Sequence, residues 1–340
     1  MVIPALFGSG PLNQKLDIPA LETLLARAEP LPRVGAHSYE ADMFNLFGIK
    51  SDPANDLPIA AVTRLVDTGH KDSGWWLRAD PVHLQIQGDR VVMTDYRSLA
   101  ISRDEAQALI QEVLNVFIVD DWYLEALHPN RWYLKLNAIP RIKTCALPMV
   151  MGKEVSQFFP TGKDAPNWRA ILNEIQMLLY ASPVNAQREA EGSLPINSLW
   201  FWGGGRLPEL GASGWTQVWS DEPISLGLAR LAGTAISRVP ANGQDWLRQA
   251  ITPGRHLLIL DDTSNVIEQR DTVAWKELME HLDGAWIKPL FMGLKNKELS
   301  SIAISDATGN VFTATSGDAR RWWRRRRPLE NFRINHAVIE

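Results

Sequence analysis

The stretch SLWFWGGGRLP, Ser198 to Pro208, constrains the fold of this chain more than any other. Four large apolar side chains in a row, Leu199 to Trp202, run straight into three glycines. The run reads as a strand whose large side chains pack between a sheet and an inserted domain. The glycines then allow positive φ or close approach of the backbone to something else. Two roles compete for them. A row of N–H groups at the strand end, with Arg206 beside it, forms an anion nest that holds a phosphate or carboxylate. Gly203, Gly204 and Gly205 would then bind the ligand, and Trp200 and Trp202 would line its pocket. Alternatively the glycines mark a tight crossing between two domains. The segment is not a P-loop, because no Lys-Ser/Thr follows the glycines.

Beyond Asn197 the chain alternates strand and helix. HLLILDD (256–262) is a strand, DTVAWKELMEHLDG a helix closing at Gly284, and SIAISDA (301–307) a strand again. The opening VIPALFG reads as a first buried strand. Together with residues 197–202, these segments predict an α/β core with a mostly parallel sheet flanked by helices. From Trp75 the pattern breaks. WWLRADPVHLQIQGDRVVMTD alternates and carries a Gly-Asp turn, the sign of antiparallel pairing. Ser102 and Glu105 form a capping box ahead of a helix. APNWRAILNEIQMLLYASPV is a second helix, with Trp168, Ile171, Leu172, Ile175, Leu178 and Leu179 inward. Residues 76–192 are therefore expected as an inserted α+β domain, with 1–75 and 193–340 as the core.

The chain has 340 residues, 45% of them hydrophobic, enough for a large core. Its net charge of −4 excludes nucleic-acid or membrane binding by bulk electrostatics. No apolar run is long enough to span a bilayer, so no membrane role is expected. A single cysteine, Cys145, excludes an internal disulfide and suits a cytoplasmic protein. One local exception to the acidic balance is RRWWRRRRPLENF. Its arginines, Arg320, Arg321, Arg324, Arg325, Arg326 and Arg327, surround Trp322 and Trp323. Such a stripe suits phosphate or single-stranded nucleic acid. The plainer account has the tryptophans in the core and the arginines paired with surface carboxylates.

LPINSLWFWGGGRLP resembles the AN-x-IW-x-WGQGK-P segment of archaeal-type cofactor-independent phosphoglycerate mutases, of the alkaline-phosphatase superfamily. SYEADMFNLFGIKSDP resembles their GSD-x-AHLSLLGYDP, and other stretches follow in the same order. A closer resemblance is to bacterial RpfE-type regulatory proteins, around WLRADPVHL, WRAILNEIQMLL and NSLWFWGGGRLP. The resemblance implies an alkaline-phosphatase-like core with an inserted domain.

It also implies where chemistry should sit. The family holds two divalent metals with Asp and His at strand ends and uses a Ser or Thr nucleophile. Here the first strand carries no acidic residue. LILDDTSNV keeps Asp261 or Asp262 at an acidic position without the family's histidines. ISDATG keeps Asp306, with Ala307 where histidine belongs. Lone carboxylates do not hold two metals tightly. The resemblance thus points to vestigial carboxylates, no metal, no cofactor and no catalytic residue. The expected function is a non-catalytic regulatory or ligand-binding protein, with a phosphate-bearing small molecule or a protein as partner. Nucleic acid enters only through the Arg/Trp stripe. A metal-dependent phosphatase or mutase with other ligands stands as the alternative.

Overall fold

The structure is a computed structural model that describes residues 1–8, 16–31, 38–52, 54–117, 122–261 and 272–332. It divides into two compact units, one of residues 1–50 with 210–340, the other of residues 51–209.

In the first unit, strand Gln217–Trp219 lies between Ala235–Ser237 and His256–Leu258, all parallel. Strand Val311–Thr315 lies between Glu29–Leu31 and Ser301–Ser305, all antiparallel. The N-terminal residues join these two sheets. Val2 bridges Ile259 on one side and Ser305 on the other, both in parallel. Its N–H donates to the Leu258 carbonyl at 2.8 Å, and its own carbonyl accepts from Leu260 at 3.0 Å. Helices Pro19–Arg27, Thr272–Leu282 and Lys288–Asn296 supply Leu21, Leu24, Leu25, Met279 and Leu294 to the core beneath, with Trp219 and Ile304 from the strands. Asp283 stands in for the missing N-cap of Pro19–Arg27, its two carboxylate oxygens accepting the N–H groups of Leu21 (2.6 Å) and Ala20 (3.2 Å). The helix expected to close at Gly284 does not stop there. A π-helical turn over Asp283–Ile287 carries it into Lys288–Asn296.

In the second unit the sheet order is Tyr123–His128, Arg131–Lys135, Trp76–Val82, Ser198–Gly205, antiparallel throughout. Residues 198–202 therefore do not join a parallel core sheet, and most strand pairs in the molecule are antiparallel. The reason is physical: a continuous apolar run reports burial on both faces, not strand direction. Helix Ile59–Thr68 covers one face of this sheet. Helices Arg103–Val116 and Ala165–Tyr180 cover the other through Leu109, Ile110, Val113, Trp168, Leu172, Ile175 and Leu179. The capping box of Ser102 and Glu105 is formed, as its spacing predicts. So is the hairpin Leu84–Gln87/Arg90–Met93 about the Gly-Asp turn.

Candidate functional site

The three glycines are used for close approach inside the second unit. Gly203 has φ +66°, and a β-carbon there would lie 2.9 Å from the Ile59 Cβ. At Gly204 it would lie 2.5 Å from the Trp75 ring, and at Gly205 2.6 Å from the Pro58 Cβ. The strand thus lies directly against the start of helix Ile59–Thr68. Its N–H groups are engaged as well. Gly203 donates to Thr144 Oγ1 at 3.2 Å, and Gly204 donates to the carboxylate of Asp56. Gly205 pairs with Trp76 in the sheet. Asp56 also accepts the Thr144 N–H at 3.0 Å and its hydroxyl. The expected open nest is filled from within, and the anion in it is the protein's own Asp56. Burial pushes the Asp56 carboxyl up, and the Thr144 and Gly204 donors pull against that. Arg206 is exposed, and its Nη1 donates to the Ser73 carbonyl at 2.5 Å.

Trp200 and Trp202 are core residues rather than pocket walls. The Trp200 indole donates to the Cys145 carbonyl at 2.8 Å and stacks near Phe159. The Trp202 indole donates to Asp80 Oδ2 at 2.7 Å. Asp80 and Arg78 form a fully buried bidentate pair at 2.9 and 2.7 Å, one turn of the pleat apart on strand Trp76–Val82. Asp80 further accepts the Trp132 N–H at 3.2 Å, and Arg78 lies over the rings of Tyr133 and Trp202. The signal for this pair was present as R-x-D, since residues two apart on a strand share a face.

In the first unit, several carboxylates are spent on nearby backbone and side-chain donors. Asp306 follows strand Ser301–Ser305. Its Oδ1 accepts the N–H groups of Thr308 (2.8 Å) and Asn310 (3.1 Å). Its Oδ2 accepts the Thr308 hydroxyl (2.7 Å) and the Asn310 amide (2.6 Å). Ala307, at φ +61°, turns the chain within this loop. Asp42 accepts the Ser305 hydroxyl at 2.9 Å, and burial holds its carboxyl above the usual range, with Asp306 adding to the effect. Glu222 caps helix Pro223–Leu231 through the N–H groups of Ile224 (2.7 Å) and Ser225 (2.8 Å). Burial, with Asp261 nearby, pushes the Glu222 carboxyl up to about 6. Tyr39 lies by the same two carboxylates, and its hydroxyl is pushed well above the usual range, first by burial. Asp262 lies outside the described residues. Asp42 and Tyr39 carry no local sequence pattern that distinguishes them. Glu222 was legible, because an acidic residue ahead of Pro at the first helical position is a capping signal.

Among the described residues this donor set does not fit a two-metal centre: Asp306 has both oxygens committed to one turn, and Ala307 offers no ligand. Among the described residues no group of three or more His, Cys, Asp or Glu is placed to hold a metal ion. None of the described helices is long and apolar enough to cross a membrane.

The basic stripe divides in two. Arg320, Arg321, Arg324 and Arg326 bind carbonyls or carboxylates of the first unit. Trp322 and Trp323 are exposed, not in the core, and so are Arg325 and Arg327.

No family model matches the chain. Against curated proteins, it is 27% identical over 179 residues to a probable 2,3-bisphosphoglycerate-independent phosphoglycerate mutase of Geobacter sulfurreducens, covering 50% of this chain and 43% of that protein. It is 26% identical over 220 residues to a 2,3-bisphosphoglycerate-independent phosphoglycerate mutase of Methanosarcina mazei, covering 60% and 52%. The chain spans about half the length of these curated relatives. Among solved structures, a protein of Pyrococcus horikoshii matches with a TM-score of 0.53 at 14% identity, over 92% of this chain and 86% of that one. That likeness concerns the fold. The sequence similarity supports homology of this chain to the 2,3-bisphosphoglycerate-independent phosphoglycerate mutases, of the alkaline-phosphatase superfamily.

Proposed function

We propose that this chain is a regulatory or ligand-binding protein on a phosphoglycerate-mutase-like scaffold, which holds a phosphate-bearing small molecule without turning it over. The observation that carries the reading is Asp306. It is the carboxylate that the resemblance places at the family's final Asp-His pair, and four hydrogen bonds to Thr308 and Asn310 occupy both its oxygens. A carboxylate that holds a turn together this way has no lone pair aimed outward for a metal. Glu222 supports the same reading, since it is committed to a helix N-terminus. The ligand class follows from the relatives, whose names describe mutases of a phosphorylated three-carbon acid. The regulatory part rests on the RpfE-type resemblance alone.

Thermal-shift and calorimetric titrations of the full chain with inorganic phosphate and 3-phosphoglycerate test the binding half. The expected result is saturable binding with a raised melting temperature. Assays with 3-phosphoglycerate and p-nitrophenyl phosphate, with added Mn²⁺ or Mg²⁺, test the other half. Steady metal-dependent turnover would replace this reading with a working phosphotransferase.

A further inference from the structure

The basic segment near the C-terminus is fastened by one set of side chains and displays another. Arg321 and Arg324 both pair with Glu29, at 2.9 and 2.8 Å, and Arg321 also pairs with Asp318 at 2.8 Å. Arg324 also donates to the carbonyls of Arg27 and Ala28, and Arg320 to that of Lys295. Arg326 binds Glu22, which in turn accepts the Leu329 N–H at 3.0 Å. These contacts tie the segment to helices Pro19–Arg27 and Lys288–Asn296.

Trp322 and Trp323 are left outside, 79% and 63% exposed, edge to face with ring centroids 6.1 Å apart. Arg325 and Arg327 are exposed beside them and, among the described residues, have no ion-pair partner. Two adjacent indoles in water expose large apolar area that folding gained nothing by leaving there, which marks a contact surface. Because the segment is already held, displaying these rings to a partner costs little further ordering.

The kind of partner follows from the chemistry displayed. Among the described residues the six arginines of this segment stand with four carboxylates, Glu22, Glu29, Asp318 and the exposed Glu330, so the patch keeps an excess of positive charge on an acidic protein. An excess of positive charge selects an anion. Open indole faces select an anion whose charges alternate with flat rings. A single nucleic-acid strand has that alternation, with a phosphate between successive bases, while a duplex hides its base faces in the stack. An acidic peptide offers the charge without the ring. A lipid surface would take the rings only with neighbouring apolar residues, and the flanking positions are arginines and Pro328.

We propose that Trp322, Trp323, Arg325 and Arg327 form a binding surface for single-stranded nucleic acid, with bases stacked on the two indoles and phosphates on the two free guanidinium groups. The test uses the full chain and a fluorescein-labelled oligodeoxythymidylate of about 12 nucleotides, by anisotropy at low salt. Binding quenches tryptophan fluorescence. The double variant W322A/W323A binds about tenfold more weakly or worse. The variant R325Q/R327Q lowers the log–log salt slope by about 1.4, since each phosphate neutralised on a single strand contributes about 0.7. All four side chains are exposed, so circular dichroism and the melting midpoint of both variants stay at wild-type values. Absence of binding at low salt, wild-type affinity in W322A/W323A, or a preference for duplex, poly-glutamate or phosphatidylserine vesicles over the single strand would each overturn the proposal.

Discussion

The backbone of Gly205 runs so close to Pro58 that a β-carbon added there would stand 2.6 Å from the Pro58 Cβ and 2.9 Å from its Cα. Proline has no flexible end to move aside, so the backbone itself must shift. Gly205→Ala should therefore lower stability by about 1–3 kcal/mol, the range for overpacking a filled site. Gly211→Ala is the control, since Gly211 has no neighbour within 4 Å of a built β-carbon. Urea unfolding of both variants makes the comparison. Equal midpoints for Gly205→Ala and Gly211→Ala would show that the glycines are not there for close packing.

Much of the secondary structure was legible, because periodicity and capping are local. Helix Ala165–Tyr180 and the capping box of Ser102 and Glu105 come from neighbours in sequence. What failed was non-local. Leu199 to Trp202 signal a strand, and the structure forms one, buried along its length. Nothing in those residues says that the partner strand is Trp76–Val82, running the other way, or that a charged pair lies inside it. The glycines showed that the backbone approaches something. That Asp56 and Thr144 would meet them depends on where two distant segments pack. Asp306 was picked out as a carboxylate, and its actual partners, Thr308 and Asn310, were visible in the D-x-T-x-N spacing of a side-chain-capped turn.

Asp80 is fully buried against Arg78, and Trp202 and Trp132 spend N–H groups on it. Asp80→Ala removes the counter-charge, leaves the Arg78 guanidinium with Thr63 Oγ1 at 3.3 Å, and strands the Trp202 indole and Trp132 backbone N–H groups. The expected loss is about 3–5 kcal/mol, as for breaking a buried pair. The double variant R78M/D80L should lose less than Asp80→Ala alone, because no uncompensated charge stays behind. A double-mutant cycle in urea measures the coupling. Strict additivity of the two single losses would exclude a coupled pair.

Glu222 gives a pH dependence with a definite sign. Its folded-state carboxyl sits at about 6 against an ordinary 4.5. The folded state therefore favours the protonated form. The associated stability is complete below pH 4.5 and is lost as pH rises through about 6. A shift of that size corresponds to about 2 kcal/mol. Glu222→Gln cannot ionise, so across that window it should gain about 2 kcal/mol relative to wild type, whatever its constant cost as a weaker cap. Unfolding free energies of both proteins at pH 4.5 and 7 report the difference. Parallel pH profiles would mean that Glu222 ionises normally in the fold.

Asp306 separates a turn-forming carboxylate from a metal ligand. Its two oxygens take four hydrogen bonds from Thr308 and Asn310 across the turn that links strands Ser301–Ser305 and Val311–Thr315. Asp306→Ala strands those donors in a mostly buried loop, and bonds to an ionised acceptor are the stronger kind. The expected loss is about 2–4 kcal/mol. Asp306→Asn keeps one acceptor oxygen and should lose about half as much. The same two variants with added Mn²⁺ or Mg²⁺ supply the decisive comparison. A turn former gives melting midpoints that do not move with metal in wild type or in either variant. A ligand gives a wild-type midpoint that rises with metal concentration and loses that rise in both Asp306→Ala and Asp306→Asn, because metal bound to the folded state stabilises it by mass action. The second pattern would return the carboxylate to catalysis and overturn the non-catalytic reading of the scaffold.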